Sequence, residues 1–150
     1  MSIETRLADV EARLAISDLR ARYCHLADQH RWEELAELFT EDAEFHALAA
    51  VRGRDALLEY LRGLPQAMDA FWHRTMNETL VVDGDRAEGA AYFDAPCVVD
   101  GTPMLCAGRY DDEFVRAADG WRFSRRRLHF FWFTPLAEGW REGAVPPGLP

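Results

Sequence analysis

Four side chains in this sequence could move a proton or steady a charge: Tyr23, Asp28, His73 and Arg126. Histidine exchanges its proton near neutral pH, which suits His73 to abstraction from carbon. It follows Phe71-Trp72, so apolar surroundings come with it. A polar strand-end residue capped by a backbone carbonyl would look the same. Asp28 falls in Asp28-Gln29-His30-Arg31, an interruption between two helical patterns. A carboxylate there commonly satisfies backbone N–H groups. Tyr23 lies on an apolar helical stripe, where a buried ring with a tethered hydroxyl is the ordinary arrangement. Arg126 is the centre of Arg125-Arg126-Arg127 on a strand-like segment, normally a solvated face. Side chains alternate on a strand. Arg126 therefore points with Leu128, Phe130 and Trp132, while Arg125 and Arg127 point with His129 and Phe131. Both faces carry aromatics, so alternation does not choose between them.

Phe45, Phe71, Trp72, Tyr92, Asp94, Tyr110, Phe130 and Trp132 are the candidates to line a pocket. Asp94 interrupts the apolar run Ala90-Ala91-Tyr92-Phe93-Asp94-Ala95 and reads equally as a second acid or a solvent-facing group. Cys97 and Cys106 read as small buried residues, and Cys24 has no neighbouring base. The histidines at 25, 30, 46, 73 and 129 have no metal-ligand spacing, and no glycine-rich phosphate loop is present. No metal and no cofactor are expected.

These residues must be placed by helices first and strands afterwards. Ile16, Leu19, Tyr23 and Leu26 recur at helical spacing, with Leu7, Val10 and Leu14 as a second stripe nearer the start. The pattern stops at 28–31 and resumes from Trp32 to Phe39, giving a long helix, a break and a short helix ending near Thr40. Glu41 to His46 reads as a short strand, and Ala56 to Leu64 as a third helix stopped by Pro65. Four strands come next, His73–Val82, Arg86–Val99, Met104–Arg116 and Trp121–Phe133, separated by Asp-Gly turns and Ala118-Asp119-Gly120. This order predicts an α+β layer fold. A curved antiparallel sheet with three N-terminal helices would form a cone-shaped barrel, its open end a pocket for a small molecule. Five residues rotate a helical side chain by about 140°. Tyr23 and Asp28 can therefore share that pocket only if the helix ends or bends before Asp28.

Two stretches resemble SnoaL-like proteins of the nuclear transport factor 2-like superfamily. One is Arg22-Tyr23-Cys24-His25-Leu26-Ala27-Asp28-Gln29-His30-Arg31-Trp32 with Leu38-Phe39-Thr40-Glu41-Asp42-Ala43. The other is Gly108-Arg109-Tyr110-Asp111-Asp112-Glu113-Phe114 with Asp119-Gly120-Trp121-Arg122-Phe123. The end, Phe133-Thr134-Pro135-Leu136-Ala137, is similar to the lindane dehydrochlorinase branch; scytalone dehydratase and bile acid 7α-dehydratase are the other enzymes resembled. The resemblance implies a cofactor-independent lyase acting on a small hydrophobic cyclic or aromatic substrate. In it His73 is the base, Asp28 orients the imidazole, Tyr23 donates to or positions the leaving hydroxyl, and Arg126 stabilises developing negative charge. The dehydrochlorinase branch carries lysine where Tyr23 stands, which tilts the expectation toward dehydration. The same fold also hosts isomerases, cyclases, ligand binders and the small subunits of ring-hydroxylating dioxygenases.

The 150 residues suit one domain, with a Pro-rich arm over 136–150. Five of the seven prolines lie after residue 100, so that arm should run extended over the surface. Apolar residues make up 49% and charged residues 29%, a globular rather than a disordered composition. A net charge of −9 argues against nucleic-acid binding. No apolar run reaches membrane-spanning length. Three cysteines without a signal peptide suggest reduced thiols in a cytoplasm. An aromatic sheet face is expected to bury itself against a copy, giving a homo-oligomer, dimer or trimer.

Overall fold

The computed structural model describes residues 2–138. The Pro-rich arm expected over 136–150 lies beyond these from residue 139 onward. Helix α1 spans Ile3–Asp28, and its N-terminus is capped by the Ser2 side chain, which accepts from the Thr5 N–H at 3.2 Å. Its buried face includes Ala12, Ile16, Leu19 and Tyr23. The helix ends in a Schellman pattern: Arg31 N–H donates to the Leu26 carbonyl and His30 N–H to the Ala27 carbonyl. His30 holds the left-handed position, φ 56°, where glycine is usual. Its ring stacks on Trp32 and on Phe71, at centroid distances of 5.1 and 5.2 Å. Stacking on two aromatic rings offsets the strain and pins the helix stop to the segment that leads to His73.

Helix α2, Trp32–Ala36, is one short turn. Strands β1, Phe39–His46, and β2, Ala50–Arg52, form a hairpin. Helix α3 runs Arg54–Ala67 and contains Pro65, where the sequence suggested a stop. A proline in the last turn interrupts little, because few hydrogen bonds remain beyond it. The remaining strands are β3 (Ala70–Phe71), β4 (Arg74–Asp83), β5 (Arg86–Asp94), β6 (Cys97–Val99), β7 (Thr102–Ala117) and β8 (Gly120–Pro135). The run expected as one strand over 86–99 is thus split at Ala95-Pro96, since proline cannot donate to a ladder.

The sheet order is β2-β1-β8-β7-β5-β4, with β3 and β6 alongside. It is a curved, unclosed α+β sheet with helices packed on its inner face. The pairing is mixed rather than wholly antiparallel, because β1 runs parallel to β8, with Phe39 opposite Phe123 and Phe45 opposite Arg126. The core joins α1, α3 and the inner face through Ile16, Leu57, Leu61, Phe39, Phe114 and Phe123.

Strand β8 carries two irregularities against a regular β7. The register steps past Ser124 between Glu113 and Phe114, and past Phe131 between Ala107 and Gly108. Each extra residue flips the face of the residues after it. The first sends Arg126 inward after Phe123; the second turns Phe133 inward in place of Trp132. Gly108 permits the close approach at the second. A Cβ there would stand 2.1 Å from the His129 carbonyl oxygen and 2.8 Å from the Phe93 ring.

Inside, Arg20, Asp112 and Arg126 are fully buried together. Arg126 donates to both carboxylate oxygens of Asp112, Nε to Oδ1 at 2.7 Å and Nη2 to Oδ2 at 2.8 Å. Arg20 adds Nε to Oδ2 at 3.1 Å and reaches Glu78 at 3.3 Å. Two cations and two carboxylates balance, which is the condition under which such charges can be buried.

Candidate functional site

An apolar cavity opens between α1, α3 and the inner sheet face. The space it leaves for the centres of water-sized spheres is about 70 Å³. A single water needs about 10–15 Å³ on that measure, so the cavity has room for several waters or a small organic group. Its walls include Phe45, Tyr60, Phe71, Phe93, Leu128 and Phe130, and its polar groups come from Tyr23, His73, Tyr110 and the two thiols of Cys97 and Cys106.

His73 does not open a strand as expected. It lies between β3 and β4, where Trp72 N–H donates to the Pro96 carbonyl and holds the crossing segment. Asp28 is the last residue of α1, so the helix does not break before it. One carboxylate oxygen of Asp28 nevertheless takes two bonds from His73, from the backbone N–H at 3.0 Å and from ring Nδ1 at 2.8 Å. The angular offset between Tyr23 and Asp28 is bridged by the imidazole itself, whose ring meets Tyr23 edge-on at 6.2 Å. A carboxylate can only accept, so Nδ1 carries the proton and a neutral ring keeps its lone pair on Nε2. Among the described residues Nε2 has no partner, and His73 lines the cavity.

Tyr23 also lines the cavity and is almost fully buried. Burial pushes its hydroxyl well above the ordinary phenol value, only partly opposed by the Arg126 charge. Arg126 is not at the cavity surface. Its guanidinium lies 4.2 Å from the Tyr23 ring centroid and 4.0 Å from that of Tyr110, one layer behind the wall. Burial works against its charge, yet the neighbouring Asp112 carboxylate keeps it protonated.

Phe45, Phe71, Tyr110 and Phe130 line the cavity as the sequence suggested. Trp72, Tyr92, Asp94 and Trp132 do not. Trp72 is exposed and lies under Arg74, and Asp94 pairs with the same arginine at 3.4 Å. Tyr92 points outward beside Phe131, and Trp132 is turned off the wall by the irregularity at Phe131. Alternation along β5 carried the signal for Tyr92 and Asp94, because their neighbour Phe93 faces in. Tyr60 and Phe93 were missed among the lining candidates. The Tyr110 hydroxyl is fully buried, faces this lining and has no hydrogen-bond partner among the described residues. No group of three metal-ligating side chains occurs among the described residues, and no described helix is long and apolar enough to cross a membrane.

A model of the SnoaL-like domain matches residues 8–127. The chain belongs to this family. An uncharacterised protein of Mycobacterium tuberculosis is 33% identical to this SnoaL-like domain over 126 residues, 80% of this chain and 86% of its own. Gamma-hexachlorocyclohexane dehydrochlorinase of Sphingobium indicum is 27% identical over 143 residues, 91% and 90% of the two chains. The crystal structure of a hexachlorocyclohexane dehydrochlorinase from Novosphingobium barchaimii superposes with a TM-score of 0.81 at 26% identity, covering 95% of this chain and 99% of that one. The SnoaL-like fold of α+β type is therefore common to both.

Proposed function

We propose that this SnoaL-like domain is a cofactor-independent lyase of the dehydratase type, acting on a small hydrophobic cyclic or aromatic substrate. The observation that carries the reading is the 2.8 Å contact between Asp28 and His73 Nδ1 at the wall of an apolar cavity. It orients the imidazole and leaves Nε2 to work as the base. The lyase activity of related dehydrochlorinases supports the same reaction class.

In the proposed reaction, His73 Nε2 takes a proton from a substrate carbon. The carbon–carbon double bond forms as the adjacent carbon–oxygen bond breaks. The departing hydroxide takes the same proton from His73 and leaves as water, so the base is restored. Tyr23 hydrogen-bonds the leaving oxygen. With its pKa raised by burial it keeps its proton, which favours positioning over full donation. Arg126 acts from behind the rings, as a positioning residue that orders Tyr23 and Tyr110.

The test is a screen of cyclic secondary alcohols and chlorocyclohexanes for alkene formation by NMR. His73→Ala and Asp28→Asn should each lower turnover of a confirmed substrate by about 10²–10⁴-fold. Unchanged turnover in both variants ends this mechanism. A chain that binds such compounds but eliminates from none is a ligand-binding module instead.

A further inference from the structure

Helix α1 has a second apolar stripe that none of the described residues covers. Ile3, Leu7, Val10 and Leu14 are 68%, 56%, 50% and 63% exposed. They lie opposite the face packed on the sheet. Their spacing of four, three and four is that of alternating a and d positions in a coiled-coil seam, and Ser17 and Ala21, also exposed, continue it with small side chains. Four large apolar residues in one line on a solvent-facing helix mark a contact surface rather than scattered exposure.

The flanking charges say what fits against it. Arg6 and Arg13 run along one side of the stripe, in g positions. Glu4, Glu11 and Asp18 run along the other, in e positions. In a parallel pair, each g residue faces the e residue five places on in the partner. Arg6 then meets Glu11, and Arg13 meets Asp18. An antiparallel pair would set arginine against arginine and carboxylate against carboxylate. Arg13 is also held within its own chain, by Asp9 at 2.8 Å and the Leu80 carbonyl at 2.9 Å. Arg6 and Glu11 make no ion pair among the described residues, so they are the free pair.

We propose that α1 pairs with α1 of a second copy of this chain, parallel and in register, through Ile3, Leu7, Val10 and Leu14. The core-facing side of α1, with Ala12, Ile16, Leu19 and Tyr23, is turned away from this seam. The surface is separate from the cavity and does not depend on the chemistry assigned to it.

Three measurements on the full chain test the pairing. Sedimentation of Leu7→Glu/Leu14→Glu should show half the wild-type mass. Arg6→Glu and Glu11→Arg should each weaken self-association by about tenfold, since two symmetry-related pairs become repulsive, and Arg6→Glu/Glu11→Arg together should restore it. Leu14→Cys should oxidise to a disulfide-linked dimer, because in-register parallel helices set identical residues opposite each other; the native cysteines are all buried. A monomeric wild type overturns the proposal. So does an unchanged mass in the glutamate variant, a charge reversal without restoration, or a Leu14→Cys chain that does not cross-link. In those cases a different partner covers the stripe.

Discussion

Replacing Asp112 by asparagine should destabilise the domain far more than an isosteric change suggests. The carboxylate takes three hydrogen bonds from two arginines, and all three side chains are fully buried. Asparagine keeps one acceptor oxygen and turns an NH2 toward a guanidinium that can only donate. It also removes the charge that neutralises Arg126, leaving Glu78 beside Arg20 as the remaining partner of the pair. Breaking a buried ion pair from one side costs about 3–5 kcal/mol. Set against a total stability of roughly 5–15 kcal/mol, that is a large share. At roughly 2–4 °C per kcal/mol for a domain of this size, Tm should fall by about 6–20 °C. Urea unfolding followed by tryptophan fluorescence should show a lower midpoint with an unchanged slope. Arg20→Met/Asp112→Leu/Arg126→Met should recover much of the loss, because no fully buried charge is left inside and Glu78, whose side chain is 31% exposed, can turn to water. An Asp112→Asn protein within about 1 kcal/mol of wild type would refute the reasoning, as would a triple variant no more stable than the single one.

Gly108→Ala should fail to fold stably, since its Cβ would overlap the His129 carbonyl at 2.1 Å; soluble yield and thermal unfolding report it. Tyr110→Phe should be neutral or more stable by about 1 kcal/mol, because it removes a buried hydroxyl with no partner; urea midpoints measure it. The Tyr23 and Tyr110 hydroxyls are pushed upward by burial in the folded state, from a starting value of 10.0. Below that pH both folded and unfolded chains keep these protons. Above it the unfolded chain ionises while the folded one does not, so stability should fall as pH climbs past about 10. Phenolate absorbance from these two residues should appear only with unfolding, and early ionisation in the folded protein would contradict it.

The sheet and helices were legible because their apolar periods are long and regular. The stripe of Ile16, Leu19 and Tyr23 packs as its spacing requires. What failed to show were single-residue events. Arg126 faces inward because Ser124 is an extra residue in β8, and Trp132 faces elsewhere because Phe131 is another. Alternation read from the sequence assumes a regular strand and cannot see an inserted residue. Leu7, Val10 and Leu14 have the periodicity of a buried face, yet among the described residues no element covers them. Periodicity reports that a face is apolar, not what covers it. The approach of Asp28 to His73 depended on where a helix stops. Its stop is written in His30, which takes the left-handed turn where glycine is the commoner residue.

The parallel pairing of β1 with β8 also has a meaning for the order in which this molecule comes into being. Strand β1 is made early, but its sheet neighbour on one side is β8, the last of the described strands to be synthesised. Phe39 and Tyr23 can form their ring contacts with Phe123, and Tyr23 its contact with Arg126, only after nearly all the described residues have been synthesised. The cavity lacks one wall until β8 supplies Leu128 and Phe130. Its apolar lining stays exposed until the final strand arrives, which makes the interval before β8 the period of greatest risk of aggregation.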